Sequence, residues 1–197
     1  GTKFYRKETR KTFRDNGRLE SECDYVNEQK HGKSKKWHSN GQLWEECGYM
    51  NGQKHGKFQM WCSNGQLAYE DDFINGHLEG KSKGWHSNGQ LEFEFDCVNG
   101  ELHGKSKGWY ENGQPEFECD YVDGQRHGKF RSWYKNSQLA IEDNYINGEL
   151  HGKSQHWYPN GQLSHSHDFV NGEKHGTSKA WRPSGRLQYD YVVGHEE

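Results

Sequence analysis

Histidine, cysteine, carboxylate and lysine side chains recur at regular places in this chain, and each type has to be weighed for the chemistry its spacing permits. His31, His55, His103, His127, His151 and His175 share one repeated position. If each repeat contributes two strands, neighbouring members lie ~10 Å apart. Imidazoles bind one zinc ion at ~2 Å, so these histidines are expected to shape turns. A tighter group is His156, His165 and His167. The strand register derived below sets His156 opposite His165, with His167 two residues further along the same face. Three imidazoles there would take a metal after small adjustments. The favoured expectation is that they fill space as mid-sized rings, with no metal and no cofactor assigned. Cys23, Cys47, Cys62, Cys97 and Cys119 lack a C-x-x-C spacing and are expected to be reduced packing residues. Glu46, Glu70, Glu94 and Glu118 recur as equivalent members of a surface ladder. Paired carboxylates act as acid and base only where their environments differ, so no catalytic residue is assigned and an enzyme is not expected.

Lys33, Lys57, Lys81, Lys105, Lys129 and Lys153 would form a basic stripe. Asp72, Asp96, Asp120 and Asp168 are expected opposite four of them, which cancels the field a phosphate group needs. Only Lys33, facing Gly48, and Lys129, facing Asn144, are expected to lack a direct acidic partner. Near the N-terminus Lys3, Arg6, Lys7, Arg10, Lys11, Arg14 and Arg18 are interleaved only with Glu8 and Asp15. This cluster suits an acidic partner, and reads more simply as the solubilised edge of a terminal strand.

Composition sets the scale on which these groups are carried. Of 197 residues only 29% are hydrophobic and half of those are aromatic, with 8 Trp, 11 Tyr and 9 Phe. Globular domains run ~45–50% apolar, so an ordinary layered core is excluded. Disordered chains are aromatic-poor, and 14% aromatic residues with 25 glycines argue against disorder. A net charge of -3 gives no field for nucleic acid. No apolar run reaches the ~18 residues of a membrane-spanning helix. The expected location is intracellular and cytoplasmic, with peripheral membrane association left open. Gly1-Thr2 without an initiating Met is expected for a piece of a longer array.

The elements that carry these residues follow from a repeat. Asn-Gly pairs at Asn16, Asn40, Asn64, Asn88, Asn112 and Asn160, with Asn136-Ser137 and Ser184-Gly185 between them, recur every 24 residues. Trp37, Trp61, Trp85, Trp109, Trp133, Trp157 and Trp181 precede them by three residues, and Phe13 does so in the first unit. A second marker, Asn-Gly-x-x-His-Gly-Lys, runs over 51–57, 99–105 and 147–153, with variants between. Runs of about seven residues between turns are strand-length. The chain over 1–197 is therefore expected to be one all-β array: an elongated, single-layer, twisted antiparallel meander of about eight hairpin units, the terminal ones atypical. Asn40-Gly41 is assigned a two-residue type I′ turn, which needs positive φ at both positions; the second connection is assigned a longer, Gly-rich loop. That turn places Trp37 opposite Trp44 and Lys35 opposite Glu46. It also sets Gly108 against Phe117 and Phe58 against Asp71. One face then carries the tryptophans and the charge ladders. The other carries Leu43, Leu67, Leu91, Leu139 and Leu163 with a series of aromatic rings.

Tyr145-Ile146-Asn147-Gly148 through Lys153 with Trp157, and Trp157-Tyr158-Pro159-Asn160-Gly161-Gln162-Leu163, resemble the units of the MORN repeat family, the second being its variant form. The resemblance covers roughly residues 9 to 194 and departs at Glu79, at Asn27-Glu28 and in the shortened final unit. It implies an elongated hairpin ribbon without catalytic activity, used for protein contact, scaffolding or membrane association. The variant is known from bacterial antitoxin-like proteins and from giant viruses. This leaves neutralisation of a toxin as a further implied role, and host cytoplasm or virion as the location of a viral member.

The expected function is a scaffold for protein–protein contact, with a protein partner or a second copy of the chain and no nucleic acid. Weak contact with acidic lipid, as a peripheral phospholipid-binding module, is the alternative. Tyr49, Phe73, Phe93, Phe117, Tyr121, Tyr145 and Phe169 are the expected contact residues, because they repeat at ~10 Å steps on an extended surface. The seven tryptophans are expected to be structural.

Overall fold

Each unit is built around two turns, and their backbone angles separate them. The computed structural model describes residues 5–194; Lys3 of the N-terminal basic cluster and the Gly1-Thr2 end lie outside the described residues. Asn51 and Gly52 both adopt positive φ, 51° and 82°, as do the pairs beginning at Asn75, Asn99, Asp123, Asn147 and Asn171. Two central residues in the left-handed region define a type I′ hairpin, closed by the pair Met50 and Gln53. At the other marker only the glycine is left-handed, with Gly41 at 89°. The Gly41 N–H donates to the His38 carbonyl at 2.9 Å, and the His38 N–H to the Gln42 carbonyl at 2.8 Å. This is a three-residue loop, a type I turn followed by a bulge glycine. The turn assignment read from the sequence is thus reversed. The Asn40 side chain accepts the Gln42 N–H at 3.0 Å, an Asx arrangement that holds Asn40 out of the left-handed region.

The bulge corrects the register at one end of each hairpin and leaves the rest in place. Lys35 faces Glu46, Lys36 faces Glu45 and Lys33 faces Gly48, but Trp37 faces Leu43 rather than Trp44. Trp61–Leu67, Trp133–Leu139, Trp157–Leu163 and Trp181–Leu187 repeat this, and Trp109 meets Pro115. Leucines placed by the sequence on the face opposite the tryptophans are therefore their cross-strand partners. Trp44 instead packs against Lys36 and His38.

The strands are β1 (Lys7–Phe13), β2 (Leu19–Val26), β3 (Gln29–Trp37), β4 (Leu43–Met50), β5 (Gln53–Trp61) and β6 (Leu67–Ile74). They continue as β7 (His77–Leu78), β8 (Gly80–Trp85), β9 (Leu91–Val98), β10 (Glu101–Trp109), β11 (Pro115–Val122) and β12 (Gln125–Trp133). The last are β13 (Leu139–Ile146), β14 (Glu149–Leu150), β15 (Gly152–Trp157), β16 (Leu163–Val170), β17 (Glu173–Trp181) and β18 (Leu187–Val193). They form a single open antiparallel sheet of 18 strands in a meander, with no helix among the described residues. About sixteen strands were expected. Glu79 and His151 each divide one strand in two at a second bulge.

That second bulge is set by the His-Gly pair. Cys47 faces Phe58 and Tyr49 faces Lys54, so Gly48 spans His55, Gly56 and Lys57. Gly56 supplies the positive φ, 83°. A Cβ at Gly48 would sit 2.2 Å from the His55 carbonyl oxygen, which excludes any side chain there without a backbone shift. Contacts divide the chain into two units built from the same repeat. One runs to Leu91 and takes in Asp96–Glu101; the other holds Glu92–Phe95 and continues from Leu102.

Burial is confined to the middle of the strands on one face. In the first unit Cys23, Ser34, Cys47, Phe58, Asp71, Ser82 and Cys97 are among its members; in the second, Ser106, Cys119, Asp143, Ser154, Ser178 and Ala180. Small and large residues alternate across strands, as cross-strand pairing requires. Gly108 faces Phe117, whose ring would lie 2.2 Å from an added Cβ, so the ring covers the bare glycine.

Candidate functional site

Three rows of bonds tie one repeat to the next and fix the surface that any partner meets. In five repeats the residue after the strand-ending tryptophan, or after Phe13 in the first, reaches the carbonyl of the next tryptophan. Arg14 donates to Trp37 at 2.8 Å, His38 Nε2 lies 2.8 Å from the Trp61 oxygen, and the Tyr110 and Tyr134 hydroxyls donate to Trp133 and Trp157 at 2.7 and 2.8 Å. The turn asparagines form the second row, with Asn40 Nδ2 donating to the Ser63 carbonyl at 2.7 Å and Asn136 to Pro159 at 2.8 Å. The third row gives the repeated histidine a partner at His31 and His55. His31 Nδ1 accepts the Asn51 N–H at 3.4 Å, and the Glu79 carboxylate accepts that of Asn99 at 2.8 Å. Each supports the type I′ turn of the next repeat, in keeping with a turn-shaping role.

The charged face is largely self-neutralised. Lys57 pairs with Glu70 at 3.1 Å and Asp72 at 3.8 Å, Lys81 with Asp96 at 3.1 Å, and Lys153 with Asp168 at 3.6 Å. Lys33 and Lys129 do face Gly48 and Asn144, but each reaches diagonally, to Glu46 at 3.0 Å and Glu142 at 3.3 Å. Neither has an acidic residue directly opposite, as expected, but the diagonal reach neutralises both. A shallow cavity of about 170 Å³ lined by Lys105, Lys107, Lys129 and Arg131 is interleaved with Glu118 and Asp120. The N-terminal cluster is similarly engaged: Arg6 and Arg10 with Glu8 and Glu28, Lys11 with Glu22, and Arg14 with Glu20.

The opposite, aromatic face holds the expected contact residues. Tyr49, Phe73, Phe93, Phe117, Tyr121, Tyr145 and Phe169 are all half-buried, as are the seven tryptophans at their strand ends. Cations lie over several of the rings. Lys30 stands 4.9 Å above Tyr49, Lys54 stands 4.1 Å from Phe58 and 4.9 Å from Phe73, and Arg126 covers Phe130 and Tyr145. Burial pushes the Tyr49 phenol up to about 12, so it stays a neutral donor.

His156 and His165 face each other as expected, their ring centroids 6.5 Å apart, with His167 5.8 Å beyond His165. His156 Nε2 lies 3.5 Å from the Asp143 carboxylate, and His167 Nδ1 lies 2.6 Å from the Ser178 hydroxyl. Burial, and then neighbouring cations, lowers the pKa of His165 and His167. Among the described residues no group of three or more His, Cys, Asp or Glu side chains is placed to hold a metal ion.

Sequence reasoning missed a row of exposed aliphatic residues on the charged face. Met50, Ile74 and Val98 in the first unit, and Val122, Ile146 and Val170 in the second, are each 40–50% exposed. The signal was present, since an aliphatic residue precedes every type I′ Asn-Gly or Asp-Gly pair.

The MORN repeat variant model matches residues 30–51, 78–96, 102–123, 126–147 and 150–171, together more than half of the chain. No curated protein matches the chain. With the hairpin period, both turn markers and five matched repeats in agreement, the chain belongs to the MORN repeat family.

Proposed function

We propose that this chain is a non-catalytic scaffold whose aromatic face contacts a protein partner, a second copy of the chain included. MORN repeats are generally interaction scaffolds for proteins or membranes, and the choice of face comes from the geometry. The observation that carries the reading is the row of half-buried rings on one face of an open sheet, with Tyr49, Phe73, Tyr121, Tyr145 and Phe169 at one repeated position. Rigid rings at fixed spacing offer contact area at low entropic cost, which is why aromatics concentrate at interface hot spots. Nothing in the ladders supports catalysis, since the repeated carboxylates sit in equivalent ion pairs. Capture from native lysate with the full chain as bait, together with the scattering mass of the pure chain, tests this reading. It predicts a specific protein partner or a mass above the monomer. A strictly monomeric chain that recovers nothing above background overturns it.

A second reading has one observation in its favour. The exposed aliphatic row of the first unit, Met50 and Ile74, lies on the same face as Lys57, a combination suited to shallow contact with a bilayer. Sedimentation with anionic liposomes at low salt tests it, and failure to sediment rejects it.

A further inference from the structure

The two faces of the first unit differ in how their cations are partnered. On the charged face Lys33, Lys35 and Lys57 all pair with carboxylates. On the aromatic face Lys30 and Lys54 carry their ammonium groups over rings, and among the described residues no carboxylate lies within ion-pairing distance of either. The acids of this face are already engaged. Glu45 pairs with Lys36 at 3.0 Å, Asp71 is buried and accepts from Ser82, and Glu8 and Glu28 hold Arg6 and Arg10. Asp71, which feels Lys54 electrostatically, is 6% exposed, so it is closed to a partner. The first unit's aromatic face therefore carries two half-buried cations beside Tyr49 and Phe73 that, among the described residues, have no ion-paired carboxylate.

We propose that this face docks an acidic protein segment in extended, polyproline-like conformation, with carboxylates three residues apart held by Lys30 and Lys54. The inference rests on the scaffold reading above and adds the chemistry of the partner. Lys30 and Lys54 are one repeat apart, two inter-strand steps, or ~10 Å. A polyproline helix returns to the same face every third residue, after ~9.3 Å. Carboxylates at i and i+3 thus meet successive lysines, while the intervening residues lie against Tyr49 and Phe73, as such segments do on aromatic-lined surfaces. A lysine over a ring keeps its outward side free for an anion, and the ring limits the positions it samples. A protein segment is favoured over a bilayer by placement. The exposed aliphatics that would enter lipid, Met50 and Ile74, lie on the other face, where the lysines are already paired.

The test is fluorescence anisotropy of a labelled peptide of repeated Glu-Pro-Pro triplets, titrated with the full chain at low salt. Repeated Lys-Pro-Pro serves as the charge-reversed control. Lys30→Gln with Lys54→Gln should weaken binding about tenfold, the scale of two partly exposed ion pairs. Lys33→Gln with Lys57→Gln, on the charged face, should leave it unchanged. Circular dichroism confirms that both variants fold. No binding of the Glu-Pro-Pro peptide, or equal loss in both variants, overturns the proposal. Binding to phosphatidylserine vesicles that depends on Lys30 and Lys54, in place of peptide binding, overturns it in favour of a lipid surface. If the peptide fails while a native partner is still captured, the acidic segment is rejected and the scaffold reading stands. If capture fails as well, the scaffold reading falls with it.

Discussion

The Tyr134 hydroxyl donates a 2.8 Å hydrogen bond to the backbone carbonyl of Trp157, one repeat further along the chain. Tyr110 does the same to Trp133 and Tyr158 to Trp181. The bond ties neighbouring three-residue loops together where the tryptophan ends its strand. In an array stabilised by nearest neighbours, such bonds stand in for part of the layered core that the composition cannot supply.

Tyr134→Phe keeps the ring and removes only the donor. It should cost about 1 kcal/mol, the usual net worth of such a bond, read by urea unfolding. A loss within error would show that the carbonyl is satisfied by solvent instead.

Ser137 holds a φ of 66° at a position where other repeats place glycine, such as Gly41 and Gly161. Ser137→Gly should raise stability by about 0.5–1 kcal/mol, because left-handed backbone costs a non-glycine residue ~1–2 kcal/mol and the Ser137–Gln114 hydrogen bond is exposed. A higher urea midpoint with unchanged slope is the expected result.

Gly108 lies under the Phe117 ring. Gly108→Ala should destabilise the chain by about 1–3 kcal/mol through overpacking, and the double variant with Phe117→Leu should recover part of the loss. Thermal unfolding of the two variants checks both statements.

His165 and His167 are kept neutral by burial first and by neighbouring His156 and Lys174 second, so their folded pKa values lie below the ordinary histidine value. Asp143 pairs with His156 in this row, and Asp168 acts on His167 in the opposite sense without outweighing burial. Burial pushes the Asp143 carboxyl up, but hydrogen bonds from His156 and Ser154 outweigh this and hold it below the usual range. A lowered histidine pKa gives stability that is full above ~6.5 and is lost as pH falls through the lowered value. Unfolding midpoints should therefore drop as pH is lowered from 6.5. His165→Phe with His167→Phe, the residues carried at Phe93 and Phe95, should flatten that slope. An unchanged slope would remove these histidines from the account.

The 24-residue period and the Lys/Glu spacing made the meander and most of its register legible, down to Lys35 against Glu46 and Gly108 against Phe117. The two turns were exchanged because both markers contain Asn-Gly, and only the Asn40 side-chain bond to Gln42 decides which is left-handed at one residue. The cations over the rings were not legible for a related reason. An unbroken ladder from Cys47–Phe58 would set Lys54 opposite Asn51. The His55-Gly56 bulge slides it two places, onto Tyr49, and no pairing rule read from spacing anticipates that slide. The seven aromatic positions were read from alternation alone, and cations lie over three of them, Tyr49, Phe73 and Tyr145.

The central claim is that partners meet the aromatic face, and adjacent residues on opposite faces allow a direct reading. Tyr121 and Val122, Tyr145 and Ile146, and Phe169 and Val170 are such pairs, as are Tyr49 with Met50 and Phe73 with Ile74. Hydroxyl-radical footprinting of the full chain, free and bound to the partner captured from native lysate, measures each residue separately. The account predicts protection of Tyr49, Phe73, Tyr121, Tyr145 or Phe169 with unchanged labelling of the aliphatic neighbour. Protection of Met50, Ile74, Val122, Ile146 or Val170 with the rings left reactive would contradict it.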